Sequence, residues 1–341
     1  MNKEQSTILK GVAILMMLWY HLFGISDLET QCSPLIYIHG KALVAYIANA
    51  CYPVTFFLIL SGYGLTHVYK KRKLNINKES NRLLRIYIHY WVILLIFVSI
   101  GYFIKPGFYS YNLLYIIGNM TAIRCNYNGE VWFLFPYAVI CLTSPFIIRF
   151  IYHLNNKRNI IFSIGIYALL FGFAKYLSFH LPENIVLNIL CCQLVYYIIL
   201  IFYFILGIIL FRILEVNTGI KFSKNITCMI LIISLMAIKS MFKITICDGF
   251  YALVFILLFI NISLNKFISN IFYELGHRSM PMWMTHTFFC VYLFPDFIYG
   301  FKYPLLIFAV LVLITFIISF PIMWISQWIY NKTIANKQLF Q

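Results

Sequence analysis

The chain has 341 residues, 62% of them apolar and 11% charged, against roughly 45–50% and 25% in soluble domains. That composition excludes a soluble core and points to a polytopic α-helical membrane protein. The formal net charge of +16 would suggest nucleic acid as a partner of a soluble protein. Here the bases fall between apolar runs, so orientation and anionic lipid headgroups account for most of them and no nucleic acid is expected.

In chain order, runs long enough to span a bilayer lie at about ten places: residues 8–25, 42–68, 84–104, 131–152, 159–179, 189–213, 225–243, 248–265, 281–299 and 304–330. The first is not a cleavable signal, because no small-residue cleavage site follows it and further spans do. With both termini inside, the outer loops hold only Lys41, Lys105, Arg124, Lys175, Lys239, Lys243 and Lys302 of the 26 bases. The rest, including the KKRK run at 70–73, Lys221, Lys224 and Arg278, fall inside, as the positive-inside rule requires. Residues 108–123 are apolar but interrupted by Asn112, Gly118 and Asn119. A crossing there would flip every later loop and invert the charge bias, so this run reads as an outer re-entrant or surface helix. The expectation is a single integral membrane domain over residues 1–341, with no appended soluble domain. The nine cysteines show no CxxC and no metal-like spacing to histidine, so no metal is expected.

The first run carries Lys10 near its start and His21 near its end, with nothing ionisable between. Eleven residues at about 100° each make about three turns plus 20°, so both groups project from one helix face, roughly 16 Å apart along the axis. Ionisable residues within a membrane are expensive and mark function by default, with interhelical hydrogen bonding or snorkelling as the plain alternative. The second run ends in FFLILSGYGL. Its Gly62 and Gly64 either let helices approach or open backbone N–H groups toward a phosphate, and Ser61 stands beside them. Arg82 and Arg85, three apart at the start of the third run, share a face and suit bidentate phosphate recognition.

Glu130 and Trp132 open the fourth run from the same membrane side as His21. A carboxylate there orients an imidazole and stabilises its cation, although an ordinary loop glutamate beside an interfacial tryptophan has the same sequence. His286 lies five residues after Pro281 in the ninth run. Counting from the inner surface places it in the inner half, level with Lys10 and the arginines.

Taken together these stretches resemble acyltransferase family 3, integral membrane proteins that acylate cell-surface glycans. The resemblance rests on Lys10 and His21 as K-x10-H, on FFLILSGYGL, on RLLRI with Arg82 and Arg85, on VWFL with Trp132, and on MWMTHTFF with His286, in the family's order. It implies ten spans in a plasma (inner) membrane and an acyl-coenzyme A donor, acetyl-coenzyme A foremost, bound from the cytoplasm. It also implies a glycan or lipid-linked saccharide acceptor. His21 is then the catalytic residue, deprotonating the acceptor or carrying the acyl group. Lys10, Ser61, Gly62, Arg82, Arg85 and His286 serve the donor, and Trp132 the acceptor, while Glu130, just before Trp132, is the substitute for the family's glutamate as partner of His21. One departure stands out: several members carry a glutamate five residues after the tryptophan, and that position here is Tyr137. The competing reading is a glycan exporter whose buried ionisable groups line a substrate path, but no inverted half-repeat is visible.

Overall fold

The computed structural model describes residues 1–71, 76–109, 112–153, 156–216, 225–242 and 247–339. Arg72 and Lys73 of the basic run, and Lys221, Lys224 and Lys243, lie outside the described residues. The described chain is helical almost throughout. Its helices are α1 (Lys3–Phe23), α2 (Leu28–Gln31), α3 (Leu43–Ala50), α4 (Pro53–Lys71), α5 (Ile76–Ile104), α6 (Leu113–Met120), α7 (Leu134–His153) and α8 (Asn156–Phe179). They continue with α9 (Ile185–Val216), α10 (Asn225–Met241), α11 (Asp248–Phe259), α12 (Lys266–His277), α13 (Ser279–Thr287), α14 (Pro295–Tyr299) and α15 (Pro304–Leu339). The exception is a hairpin of two short strands, β1 (Tyr37–Ile38) and β2 (Lys41–Ala42), turning through His39 and Gly40 at φ 47° and 74°. Positive φ at both central residues is what a tight two-residue hairpin needs.

Local chemistry sets several boundaries. α1 starts in a capping box: the Gln5 amide donates to Asn2 Oδ1 at 2.7 Å, and the Asn2 amide donates to Gln5 Oε1 at 3.0 Å. Pro53 cannot donate an N–H and disfavours helix before it, so the expected span 42–68 is two helices, α3 and α4, parted at Cys51 and Tyr52. The 108–123 run folds as α6, eight residues that rise about 12 Å and fall short of a crossing.

Among the described residues six helical stretches are long and apolar enough to cross a membrane: Lys3–Phe23, Leu43–Lys71, Ile76–Ile104, Gly129–Tyr152, Ile185–Glu215 and Pro304–Thr333. The ten-span expectation is thus met in six places by helices of full length. The seventh and eighth positions hold shorter apolar helices, Asn225–Met241 and Asp248–Phe259, and the fifth holds α8, of 24 residues. α11, at 12 residues, rises about 18 Å against a hydrocarbon core of about 30 Å. The ninth is divided: α13 passes into a π-helical turn over Phe288–Tyr292, a feature frequent at functional sites. Large apolar side chains on α15, among them Leu305, Leu313 and Trp324, lie open, as a lipid-facing helix requires and a soluble one would not tolerate.

The chain divides into two compact units. The first comprises Met1–Phe57, Ile88–Phe108 and Gly219–Gln341, the second Leu58–Tyr87 and Tyr109–Thr218. In the first, α12 runs alongside α1 with backbones nearly touching. A Cβ on Gly11 would stand 2.0 Å from the Phe272 carbonyl oxygen, and one on Gly276 1.8 Å from that of Thr7. Small residues permit this approach. In the second unit Gly62 and Gly207 do the same for α4 and α9, where a Cβ on either would stand 2.1 Å from the Phe204 or Ile59 carbonyl oxygen.

Candidate active site

Within the first unit, His21 and His286 come together. His21 projects from the last turn of α1 and His286 from the last turn of α13. Their ring centroids are 4.9 Å apart, with planes inclined by 51°. This corrects the expected level of His286. The climb begins at Lys266, not at Pro281: α12 already runs beside α1, Gly276 meets Gly11, and ten positions further along each chain stand His286 and His21. At about 1.5 Å per residue that is some 15 Å beyond the glycine contact. Lys10, half-buried, sits near that contact and well below the pair.

His286 is fully buried, and its Nδ1 lies 2.6 Å from the Trp283 carbonyl oxygen. A carbonyl only accepts, so Nδ1 carries the proton and Nε2 keeps a lone pair. That Nε2 has no hydrogen-bond partner among the described residues. His21 also has Tyr20 at 5.1 Å between centroids, and Tyr52 lies 6.1 Å from Tyr20. Tyr299 donates to the Leu22 carbonyl at 3.1 Å and ties α14 to the end of α1 next to His21.

The first unit also holds an ion pair that the sequence did not announce. Lys239 Nζ is 2.6 Å from Asp248 Oδ1, with the side chains only 6% and 1% exposed, and Lys239 lies over the Tyr52 ring at 5.1 Å. Lys239 was expected among the outer loop bases; buried and paired, it is no interfacial charge. Arg278, expected in an inner loop, has its guanidinium over Phe320 at 3.7 Å and paired with Glu274 at 3.2 Å.

The second unit gathers Ser61, Arg82 and Tyr137. Ser61 Oγ and Tyr137 Oη are 3.0 Å apart, and Arg82 Nη2 donates to Tyr137 Oη at 3.1 Å and to Cys141 Sγ at 2.7 Å. Glu79, one turn before Arg82, brings Oε2 to 3.2 Å from Arg82 Nε. Tyr137 and Cys141 are four apart on α7 and share a face, on which Leu83, Ala138 and Cys141 pack together with Tyr137. Arg82 and Arg85 therefore do not form a joint fork. Arg82 is turned inward among these partners, whereas Arg85 is exposed. At Gly62 the close approach of helices is observed: α9 occupies the space over its Cα. Glu79 was legible in principle as the acid three residues before Arg82.

Glu130 and Trp132 also belong to the second unit. Glu130 lies in the short helical turn Gly129–Val131, capped by Asn128, and the Trp132 ring is 4.8 Å from that of Tyr196. Just before them, burial and then the Glu130 carboxylate push the Cys125 thiol up to about 12. Among the described residues no three His, Cys, Asp or Glu side chains gather as a metal site.

Chemically, the first unit offers two imidazoles at the end of an apolar helix, one with a defined tautomer. The second offers a guanidinium held by a carboxylate, a phenol and a thiol, with a serine behind the phenol. A family model described as an acyltransferase domain matches residues 5–324. No curated protein and no solved structure matches the chain.

Proposed function

We propose, from the premise that this chain belongs to acyltransferase family 3, that the activity of this membrane acyltransferase is O-acylation of a glycan. The donor is an acyl-coenzyme A, acetyl in the simplest case, and the acceptor a hydroxyl of a cell-surface polysaccharide or its lipid-linked precursor. The membrane is the plasma (inner) membrane, with both chain termini on the cytoplasmic side.

The supporting observation is the imidazole of His21 at the end of an apolar helix, where a polar side chain has a cost in lipid and earns no packing advantage over leucine. In the proposed step the acceptor oxygen attacks the thioester carbonyl, and His21 takes the hydroxyl proton. The new C–O bond forms, the C–S bond breaks, and the proton passes from His21 to the departing thiolate. Lys10, about 16 Å below His21 along α1, meets the anionic part of the donor. Arg85 is the exposed fork for a phosphate, while Arg82 holds Tyr137, whose hydroxyl meets Ser61. Trp132 serves the acceptor side, and Glu130, expected from the sequence as the partner of His21, is assigned there with it.

The test is to incubate inverted membrane vesicles with radiolabelled acetyl-coenzyme A. Label entering glycan supports the reading. Glycan movement across the membrane without acylation would instead favour export.

A further inference from the structure

We infer that His286 is a positioning residue for His21: its Nε2 accepts a hydrogen bond from one nitrogen of the His21 ring and so aims the other at the acceptor hydroxyl. The inference rests on the reading of His21 as the base, and it moves His286 away from the donor-binding role expected from the sequence.

The chemistry of the site argues against a phosphate ligand. With Nδ1–H committed to the Trp283 carbonyl, the neutral ring can offer only a lone pair. A phosphate oxygen is an acceptor as well, so the two have nothing to exchange. What that lone pair needs is an N–H or O–H, and the adjoining ring can supply one.

The spacing fits. An N–H···N bond of about 2.9–3.0 Å between two five-membered rings, each with nitrogens about 1.1 Å from its centroid, puts the centroids about 5 Å apart. The observed separation is 4.9 Å. Among the described residues Nε2 has no hydrogen-bond partner in the present arrangement. In the proposed pairing the contact closes by a turn of the His21 ring about its terminal torsion, which is broad for such sp³–sp² bonds. Catalytic hydrogen bonds of this kind are commonly loose before substrate enters.

The helices make the placement rigid. Gly11 and Gly276 lock α1 against α12, Tyr299 ties the end of α1 to α14, and Phe288 after the histidine stacks on Phe97 at 4.7 Å. The proposed pair balances through the reaction. His21 in its neutral form donates one N–H to His286 and presents a bare nitrogen to the hydroxyl. On taking the proton it carries N–H on both nitrogens, and the bond to His286 persists. Passing the proton to the thiolate restores the starting tautomer. Thus a neutral imidazole does here what a carboxylate does for other histidine bases.

The full chain in lipid nanodiscs allows a discriminating test. In His286→Gln the amide oxygen can occupy the place of Nε2, whereas in His286→Asn the side chain keeps only the bond near Nδ1. We expect His286→Gln to retain kcat within about tenfold and His286→Asn to lose about 10²-fold, with donor KM and abundance unchanged in both. A raised donor KM with kcat kept would return His286 to the donor, and equal losses in both variants would make it structural; either overturns the inference. Nitrogen-15 spectra of the histidines give a readout independent of turnover. The His286 Nε2 resonance should be of the unprotonated type and should shift in His21→Ala; no shift refutes the pairing. If the wild-type protein transfers nothing from acetyl-coenzyme A, the proposed activity falls while the spectra still decide the pair.

Discussion

Gly11 and Gly276 stand so close that a Cβ on Gly276 would come within 2.9 Å of the Gly11 amide nitrogen. This contact sets the height at which α13 begins and hence which residue faces His21. Gly276→Ala must push backbone against backbone, since the nearest atoms are carbonyls and not flexible side-chain ends. Overpacking of that kind costs about 1–3 kcal/mol. Thermal unfolding in nanodiscs should show a clear loss for Gly276→Ala. Gly172→Ala, at a helical glycine with open space around it, should be neutral or gain up to about 1 kcal/mol from helix propensity. Equal melting temperatures for the two variants would contradict the contact.

The buried pair Lys239 and Asp248 yields a second expectation. Removing one partner leaves a charge without compensation in a poorly solvated place, at a cost of about 3–5 kcal/mol; replacing both with apolar residues is commonly far milder. Asp248→Asn and Lys239→Met should each lower stability sharply, and Lys239→Met with Asp248→Leu should recover much of it. A double-variant cycle on the melting free energies checks this, and strict additivity would argue against the pair.

Much of this site could be read from the chain, and the unread part has identifiable causes. Lys10 and His21 were legible because both sit on one uninterrupted helix, where spacing fixes the face. The level of His286 was not. The bend between α12 and α13 falls at Arg278, with neither glycine nor proline at that residue, so nothing in the sequence says that the climb starts at Lys266. The pair of Lys239 and Asp248 belongs to two helices and depends on tertiary packing that no local period encodes. The break before Pro53, by contrast, carried its own signal in the proline.

Cys125 supplies a prediction about pH. Its folded-state thiol is pushed up to about 12, from an ordinary value of 9.0, by burial and then by the Glu130 carboxylate. Only the thiolate reacts, so labelling by a maleimide should be slow at neutral pH and rise about tenfold per pH unit, with no plateau near 9. Saturation of the rate near pH 9 would refute the burial. The same slowness makes the neighbouring position a clean probe of sidedness. Asn126 is exposed, so Asn126→Cys in a Cys125→Ser background should label rapidly from outside intact cells with an impermeant maleimide. Labelling only after permeabilisation would put this loop on the inner side.

The two ends of α1 should fail in different ways. His21→Ala should leave an inserted, folded protein, because alanine is cheaper in lipid than imidazole. The helix is also held elsewhere, by Gly11 against α12 and by the buried Leu9, Ile14, Leu18 and Leu22. Acyl transfer should nonetheless drop at least about 10²-fold, the lower range for loss of an acid–base group. Lys10→Ala should act on the donor: its charge lies near the glycine contact and far below the imidazoles, so KM for acetyl-coenzyme A should rise while kcat changes little. Lys10→Arg keeps the charge and should retain much of the activity. Steady-state kinetics on the three variants at matched abundance separates these outcomes. An active His21→Ala protein would leave His21 a helix-packing residue and remove the base from the proposed reaction.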